Sequence, residues 1–299
     1  MDFGALLNSA LRLGSASRGV NFKVDNRALQ ALLPEDSVFF SMKDILFNRE
    51  YEFFPHFELN RPRQIVVDAG AHAGLYTLIA SLWAREVFSL EPDNNIFEML
   101  SANVARNRLT NAIVMKSALW IEDGPVEFYR RGNSQLGTVM RCKNSQPILV
   151  DAVSLEGLLQ RTFEDLGGRD IDLLKLDIEG AEFNVIPSSH PETLGNISRI
   201  VAEVHTVHGK LRVLTDKLKQ CGFSYVVVRR PFRKTGDGQF HILADYWIKF
   251  LMRTVNLAMD ISNYSDWSSL LLFASKERDD FPVSKLASLK GRIIDASIE

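Results

Sequence analysis

The sequence lacks the features that mark several common classes of protein. Its 299 residues include only two cysteines, Cys142 and Cys221, which are too few for a disulfide framework and are not spaced as metal ligands. The 35 basic and 37 acidic side chains nearly cancel, so bulk charge gives no reason to expect a nucleic-acid partner. No apolar run approaches the roughly 18 to 20 residues that span a bilayer. We therefore expect a cytoplasmic protein with reduced thiols and no transmembrane segment.

The most informative stretch is IVVDAGAHAG at residues 65–74. Its β-branched residues predict a short buried strand, and Gly70 and Gly74 predict a tight turn whose backbone can approach a ligand closely. Leucine and isoleucine then recur at helical spacing, so the turn ends at the start of a helix. A second strand leads to Glu91, at a suitable distance for bonding a ribose hydroxyl. This combination is typical of a nucleotide-binding half of an α/β fold.

The form of the turn favours one cofactor over another. It reads Asp-x-Gly-x-x-x-Gly, with Asp68 ahead of the first glycine, and differs from the Gly-x-Gly-x-x-Gly that receives a pyrophosphate. A carboxylate here repels a diphosphate but attracts the ammonium group of an amino-acid moiety, directly or through water. We therefore favour S-adenosylmethionine, held by Asp68, Gly70, Gly74 and Glu91. An NAD-dependent dehydrogenase is the alternative, which a cofactor titration would distinguish.

The chain divides into a cap and a core. From Gln64 onward, predicted strands and helices alternate, which indicates a mostly parallel sheet with helices on both faces. Residues 1–62 precede it, and the amphipathic pattern over 41–54 predicts a helical cap, with Asp44, Arg49 and Tyr51 as surface and packing residues. Residues 63–299 are predicted as one domain with an insertion at 229–268.

Three further segments flank the predicted cofactor site. The third strand, 112–116, ends at Ser117 and Ala118, where such a sheet would contact an adenine ring. Residues 124–150 predict two short antiparallel strands joined by a polar loop, which we expect to cover the substrate side. Residues 242–259 predict an amphipathic helix. Four roles for its apolar face stay open: packing on its own domain, closing over the substrate, forming a homodimer, or contacting a membrane surface.

Ionisable residues follow the ends of two predicted neighbouring strands. Lys175 and Asp177 lie in an apolar strand that leads to Glu179, and such charges are costly to bury without partners. The next strand ends in Glu203 and His205. Because ligands bind at the carboxyl ends of strands in open α/β sheets, we expect these five residues to share one functional edge. A structural pair between Lys175 and Asp177 is the alternative interpretation.

These motifs, taken in order, resemble those of the FkbM family of S-adenosylmethionine-dependent methyltransferases. The likeness covers roughly residues 44–275 and rests on EY at 50–51, VDAGAHAGLYT at 67–77, LEP at 90–92, Asn103, KLDIEGAE at 175–182 and EVH at 203–205. It implies a class I methyltransferase fold, Rossmann-like, for which we expect a mostly parallel seven-stranded sheet. It also implies O-methylation of a hydroxyl on a sugar, glycolipid or polyketide-type small molecule.

Spacing and resemblance together define a cofactor set. Its predicted members are Asp68, Gly70, Ala71, His72, Gly74, Glu91, Ser117, Ala118 and Asp177. Two features depart from the family pattern: His72 stands where asparagine is common, and the segment between the sixth and seventh strands is longer than expected. The identity of the acceptor is therefore not carried over from the family.

Methyl transfer requires an acceptor oxygen in line with the methyl group and a route for its proton. We assign His205 as the general base, because histidine ordinarily titrates near neutral pH, with Asp177 or Glu203 orienting it. Lys175 and Glu179 complete the candidate catalytic set. Two alternatives stay open. The acidic residues and His205 could bind a divalent metal, which is not favoured, or the chain could bind the cofactor without turnover as a partner in a biosynthetic assembly.

Overall fold

The structure is a computed structural model and describes residues 17–130, 134–142, 145–166, 170–229, 269–289 and 291–298. The predicted helix at 242–259 and all of the predicted insertion except Arg229 lie outside these residues. Within them, the chain forms one large sheet and two small ones. None of the described helices combines the length and the apolar composition needed to cross a membrane.

Strands and helices alternate through the core, as predicted. The strands are β1 Ser17–Val24, β2 Arg27–Pro34, β3 Arg63–Ala69, β4 Ala84–Leu90, β5 Ala112–Met115, β6 Ala118–Leu119, β7 Gly124–Tyr129, β8 Pro147–Val153, β9 Leu173–Leu176, β10 Arg199–His205, β11 Ser224–Arg229, β12 Ser269–Ser275 and β13 Ile293–Ser297. The α-helices are α1 Val38–Ser41, α2 Leu75–Ala80, α3 Asn94–Arg106, α4 Leu155–Leu166, α5 Glu182–Ser188, α6 Pro191–Gly195, α7 Leu211–Gln220 and α8 Val283–Ser288. Shorter turns are a π-helix at Met42–Asn48 and 3-10 helices at Glu50–Glu52, Pro55–Phe57, Ser134–Leu136 and Arg278–Asp280.

The large sheet has eight strands in the order β13-β11-β12-β10-β9-β3-β4-β5. Strands β5, β4, β3, β9 and β10 pair in parallel, and β12, β11 and β13 extend the sheet through antiparallel pairings. The predicted count of seven strands is therefore wrong. The additional strand β13 lies at the edge with mostly exposed side chains, so it lacks the continuous apolar run that marks a buried strand.

Alternate residues of each strand pack on opposite faces of this sheet. Val66, Leu173 and Val201 pack on one side with α2 and the β1–β2 pair. Their neighbours Val67 and Leu174 pack on the other side with α4, α5 and α7. Helices therefore cover both faces, as predicted, and the central strands are mostly apolar because both of their faces are buried.

The segment ahead of β3 differs from the predicted helical cap, because its first part is a β-hairpin. Strands β1 and β2 pair in an antiparallel register across Asp25 and Asn26, which both have positive φ, at 44° and 66°. Aspartate and asparagine tolerate this conformation, which two-residue hairpin turns require. Buried Val20, Phe22 and Val24 alternate with exposed neighbours, a period of two that marks a strand.

Two asparagines of α3 attach the hairpin to the core. The side-chain amide of Asn103 donates to the carbonyls of Leu32 and Ala73, both at 2.8 Å, and its oxygen accepts from the Leu32 N–H at 2.6 Å. Asn107 bonds the N–H and carbonyl of Gln30 in the same way. These amides occupy the edge of β2 as a neighbouring strand would. Asn103 thereby joins the hairpin to the glycine turn.

The predicted antiparallel pair after the third core strand is confirmed. Strands β7 and β8 pair in antiparallel register, and β6 joins β8 to complete a three-stranded sheet. Asp93 accepts the backbone N–H groups of Asn95 and Ile96 and caps α3. Ser154 accepts the N–H of Gly157 in the first turn of α4. Both caps fix the helix starts close to the strand ends.

Candidate active site

The loop after β3 places the glycine turn at the ends of the parallel strands. Gly70 has a φ of +75°, and a Cβ there would lie 1.8 Å from the carbonyl oxygen of Asp177. Gly74 has a φ of +86°, and its Cβ would lie 2.4 Å from the side chain of Leu100. Both positions therefore require glycine. The N–H groups of Gly70 and Ala71 bond the carbonyl of Leu90, at 3.1 and 2.9 Å, and join the turn to β4.

Glu91 follows β4 and lies beside this turn. Its carboxylate accepts the backbone N–H of His72 at 3.0 Å and that of Asp93 at 2.8 Å. Burial raises the pKa of Glu91 to about 8. Additional hydrogen-bond donors would stabilise this buried carboxylate in its charged form, and ribose hydroxyls are such donors. The surroundings of Glu91 therefore fit the role predicted for it.

The ring of His72 connects the turn to two other segments. Its Nε2 lies 3.1 Å from the Ser134 hydroxyl and 3.5 Å from that of Ser37. The Ser134 hydroxyl and N–H in turn donate to Asp36. Burial lowers the pKa of His72 to about 4, so the ring is neutral at neutral pH. This contact with the β7–β8 loop was not anticipated from sequence, since Ser134 gave no motif signal.

Asp68 belongs to a buried ion pair. One carboxylate oxygen lies 3.0 Å from the Lys175 ammonium, and the other accepts the Thr77 hydroxyl at 2.7 Å. Lys175 also donates to the Gly70 carbonyl at 2.9 Å. Burial lowers the pKa of Lys175, but Asp68 and Asp177 outweigh burial and the pKa is raised. Asp68 is 0% exposed and supports the turn through Lys175. Its predicted contact with the ammonium group of the cofactor stays a prediction.

Acidic side chains surround His205 at the ends of β9 and β10. Glu182 Oε1 lies 3.2 Å from its Nδ1 and accepts its backbone N–H at 2.6 Å. The Nε2 atom lies 3.5 Å from Glu179 and 3.7 Å from Glu203. One ligand atom each from Asp177, Glu179 and His205 fall within 4.8 Å of one another. Four of the five residues predicted for this edge thus lie together with Glu182. We define the His205 cluster as Asp177, Glu179, Glu182, Glu203 and His205.

The charges of the cluster change the expected protonation states. Burial lowers the pKa of His205, but its hydrogen bond to Glu182 and the charges of Glu179 and Glu203 raise it to about 10. Burial raises the pKa of Glu179 to about 8. His205 therefore holds its proton at neutral pH, and the near-neutral pKa on which its role as general base rested is wrong. The side chain that orients its ring is Glu182, and sequence analysis had named Asp177 or Glu203.

Tyr51 is a member of the site that sequence analysis assigned to packing. Its hydroxyl lies 2.9 Å from Asp177 Oδ2 and 3.2 Å from Glu203 Oε2. The Lys175 ammonium lies 5.5 Å from the centre of its ring, a cation–π distance. Tyr51 lies close to Phe53 and Phe54 in the sequence, which favoured a packing role. Its position in the EY motif was the sequence signal for a role in the site. Glu182 had a similar signal, since it lies within the KLDIEGAE motif.

Ser117 and Ala118 lie where the predicted adenine side of the site should be. Both are buried, and the N–H of Ser117 bonds the carbonyl of Met115 at the end of β5. The same carbonyl accepts the N–H of Glu91 at 3.1 Å. The two residues therefore follow directly on the strand end that adjoins the predicted ribose ligand.

The five parallel strands, with a glycine turn after one strand, an acidic residue after the next and charged residues at the following strand ends, form a Rossmann-like nucleotide-binding arrangement. The family model of the methyltransferase FkbM domain matches residues 68–225, more than half of the chain. The chain belongs to this family and is a methyltransferase that uses S-adenosylmethionine. The dehydrogenase alternative is thereby excluded.

Individual relatives share about a quarter of the aligned residues with this chain. Methyltransferase 1 of Beauveria bassiana is 26% identical over 225 residues, which cover 68% of this chain and 88% of that protein. The 31-O-demethyl-FK506 methyltransferase FkbM of Streptomyces tacrolimicus is 27% identical over 200 residues, covering 57% and 76%. The AMB antimetabolite synthetase AmbE of Pseudomonas aeruginosa is 25% identical over 223 residues, covering 61% of this chain and 10% of its own length. Among solved structures, M. jannaschii TYW2 in complex with AdoMet has a TM-score of 0.38 at 12% identity, covering 88% and 87% of the two chains.

Proposed function

We propose that the chain methylates a hydroxyl group of a small molecule. The observation that carries the proposal is the position of the His205 cluster next to the cofactor turn, which Lys175 joins to the cluster by bonding Gly70 and lying 3.8 Å from Asp177. An oxygen nucleophile must lose a proton during methyl transfer, and carboxylates at this edge can receive it. The name of the FkbM relative, a 31-O-demethyl-FK506 methyltransferase, supports an oxygen acceptor.

The cofactor residues have separate tasks in this proposal. S-adenosylmethionine supplies a methyl group bound to a positively charged sulfur. This sulfur is already a good leaving group, so the protein need not form a covalent intermediate. The glycine turn and the N–H groups of Ala71 and His72 shape the site, Glu91 accepts the ribose hydroxyls, and Ser117 with Ala118 borders the adenine. Asp177 lies where the cofactor and acceptor meet.

The proton passes to the carboxylate of Glu203, since His205 already carries a proton at neutral pH. Glu203 has one oxygen 3.7 Å from His205 Nε2 and the other 3.2 Å from the Tyr51 hydroxyl. As the acceptor O–H gives up its proton, the oxygen forms a bond to the methyl carbon. The carbon–sulfur bond breaks, and its electron pair stays on sulfur.

The acceptor is an uncharged or cationic hydroxylated molecule of the sugar, glycolipid or polyketide type. The carboxylates of Asp177, Glu182 and Glu203 lie at this edge, and they repel an anionic acceptor at short range. Phosphorylated molecules are therefore poor acceptors in this proposal.

Transfer of labelled methyl groups tests the proposal. Purified protein is incubated with methyl-labelled S-adenosylmethionine and a panel of neutral hydroxylated compounds, their O-methylated counterparts and their phosphate esters. We expect label to enter the free hydroxyl compounds only, and Glu203→Gln to slow transfer by about 100-fold, the lower range for loss of a general base. The matched control Glu192→Gln changes an exposed carboxylate on α6 and should have no effect. Transfer confined to amine or thiol acceptors would refute O-methylation.

A further inference from the structure

One ring nitrogen of His205 is fixed, and the other faces acidic side chains. Glu182, which is 0% exposed, contacts Nδ1 and also accepts the N–H groups of Gly180 at 2.9 Å and of His205 at 2.6 Å. A carboxylate that fixes one nitrogen is the usual outer partner of a metal-bound histidine. The other nitrogen, Nε2, faces oxygens of Glu179 and Glu203 at 3.5 and 3.7 Å, which exceed ordinary hydrogen-bond lengths.

The donor atoms near Nε2 have the spacing of a ligand set. Atoms of Asp177, Glu179 and His205 all lie within 4.8 Å of one another. Donors that bind one cation through bonds of about 2.1 Å lie about 3 to 4.2 Å apart, so small side-chain rotations close the set. Two carboxylates and one imidazole suit a cation that accepts oxygen and nitrogen ligands, such as Mn²⁺ or Mg²⁺.

The charge balance favours the same conclusion. Four carboxylates of the cluster converge on one imidazole. Lys175 lies nearby, but its ammonium is engaged at 3.0 Å by Asp68 and at 2.9 Å by the Gly70 carbonyl, whereas Asp177 is 3.8 Å away. A divalent cation at Nε2 would bring positive charge to this group of acidic side chains.

We propose that Asp177, Glu179 and His205 bind a divalent cation, Mn²⁺ or Mg²⁺, to which the acceptor hydroxyl adds as a further ligand. The inference rests on the proposed function and adds a metal to it. The bound cation makes the hydroxyl more acidic, and its proton passes to Glu203, which stays outside the ligand set. The oxygen then forms its bond to the methyl carbon as the carbon–sulfur bond breaks. His205 acts as a ligand in this scheme: the cation takes the place of the proton on Nε2, which is released to solvent, while Nδ1–H still donates to Glu182. Tyr51 orients Asp177.

Binding of Mn²⁺ to the full chain, with no cofactor or acceptor present, tests the site directly. The protein is treated with chelator, dialysed and titrated with Mn²⁺ while free Mn²⁺ is followed by electron paramagnetic resonance. We expect one Mn²⁺ per chain, at least tenfold weaker binding by Glu179→Gln and by His205→Ala, and binding 10 to 100-fold weaker by Glu182→Gln. Glu192→Gln should bind as the wild type does. Failure of the wild type to bind Mn²⁺, or unchanged binding by Glu179→Gln and His205→Ala, would overturn the site.

Two further readouts separate the metal site from the proposed function. Titration with S-adenosylhomocysteine shows for each variant that the fold and the cofactor site persist, so a loss of Mn²⁺ binding is assigned to the ligands. Saturable Mn²⁺ binding without methyl transfer to any hydroxyl compound supports the metal site and counts against O-methylation. Full methyl transfer in excess chelator, without Mn²⁺ binding, supports O-methylation and refutes the metal site.

Discussion

The cofactor side and the acceptor side of the site treat buried charge in opposite ways. On the cofactor side, Asp68 is paired with Lys175, and Glu91 accepts two backbone N–H groups. On the acceptor side, burial lowers the pKa of His205, but its hydrogen bond to Glu182 and the charges of Glu179 and Glu203 raise it to about 10. The first arrangement shapes the backbone, because its partners are supplied by the chain itself. The second concentrates negative charge where a ligand or proton is to be received.

Left-handed backbone conformation occurs on both sides. The cofactor turn has positive φ at Gly70 and Gly74, where glycine adopts it without strain, and at His72, where φ is 50°. On the acceptor side Glu179 itself has a φ of 52°, followed by Gly180 at 103°. A left-handed conformation costs a non-glycine residue about 1 to 2 kcal/mol. This cost falls on a residue whose carboxylate faces His205, which is typical of functional sites.

The largest expected effect is a loss of stability when the ion pair on the cofactor side is broken. Replacing Lys175 by methionine leaves Asp68 buried without its cation, so the free energy of unfolding should fall by about 3 to 5 kcal/mol. Urea denaturation measures this. The matched control Lys23→Met lies on an exposed position of β1 and should change little. Addition of Asp68→Asn to Lys175→Met should recover part of the loss, and a loss below about 1 kcal/mol for Lys175→Met alone would contradict the pairing.

A second change tests the backbone requirement of the glycine turn. Gly70→Ala adds a Cβ that meets the Asp177 carbonyl and imposes positive φ on alanine, so we expect about 1 to 3 kcal/mol lower stability and lost cofactor binding. Gly195→Ala is the control, since nothing lies within 4 Å of a Cβ there. Thermal unfolding and a cofactor titration measure both variants. Equal stability and equal cofactor affinity of Gly70→Ala and Gly195→Ala would show that the turn tolerates a side chain at position 70.

The third prediction concerns the acceptor side. Tyr51→Phe removes a hydroxyl that contacts Asp177 and Glu203 but keeps the ring beside Lys175. A hydrogen bond to a charged group contributes about 1.5 to 3 kcal/mol, so the methyl transfer rate should fall at least about tenfold while cofactor affinity is kept. Tyr225→Phe removes a hydroxyl near Asp295, away from the site, and should leave the rate unchanged. A Tyr51→Phe enzyme as fast as the wild type would exclude this role.

The smallest effect is a pH dependence of cofactor affinity. Burial raises the pKa of Glu91 to about 8, and ribose hydroxyls favour its charged form. Below pH 8 the carboxyl must lose its proton on binding, so affinity should rise with pH by up to tenfold per unit and level off above 8. Glu91→Gln should bind more weakly and remove this slope. A wild-type affinity that is flat between pH 6 and 8 would show that Glu91 does not titrate with binding.

Local signals were sufficient for the core of the fold and for the cofactor turn. The β-branched run and the two glycines predicted β3 and its turn. The pattern over residues 124–150 predicted the antiparallel pair of β7 and β8. Each of these features depends on neighbours in sequence, through strand period or positive φ.

Features that depend on distant partners were missed. Asp68 pairs with Lys175, more than a hundred residues away, and local spacing gives no sign of that contact. The pKa of His205 is set by Glu179, Glu182 and Glu203, which meet only after β9, β10 and α5 have packed. The protonation state of a candidate base is therefore a property of the folded site, and residue type alone predicted it wrongly.

The central claim is that one side of the site binds the cofactor and the other activates the acceptor. Calorimetric titration with S-adenosylhomocysteine, run beside single-turnover methyl transfer, tests this for the wild type, Glu91→Ala and Glu203→Gln. The account predicts that Glu91→Ala loses cofactor affinity, whereas Glu203→Gln keeps it and loses the rate of transfer. Equal weakening of cofactor binding by both variants, or wild-type binding by Glu91→Ala, would contradict the division of roles.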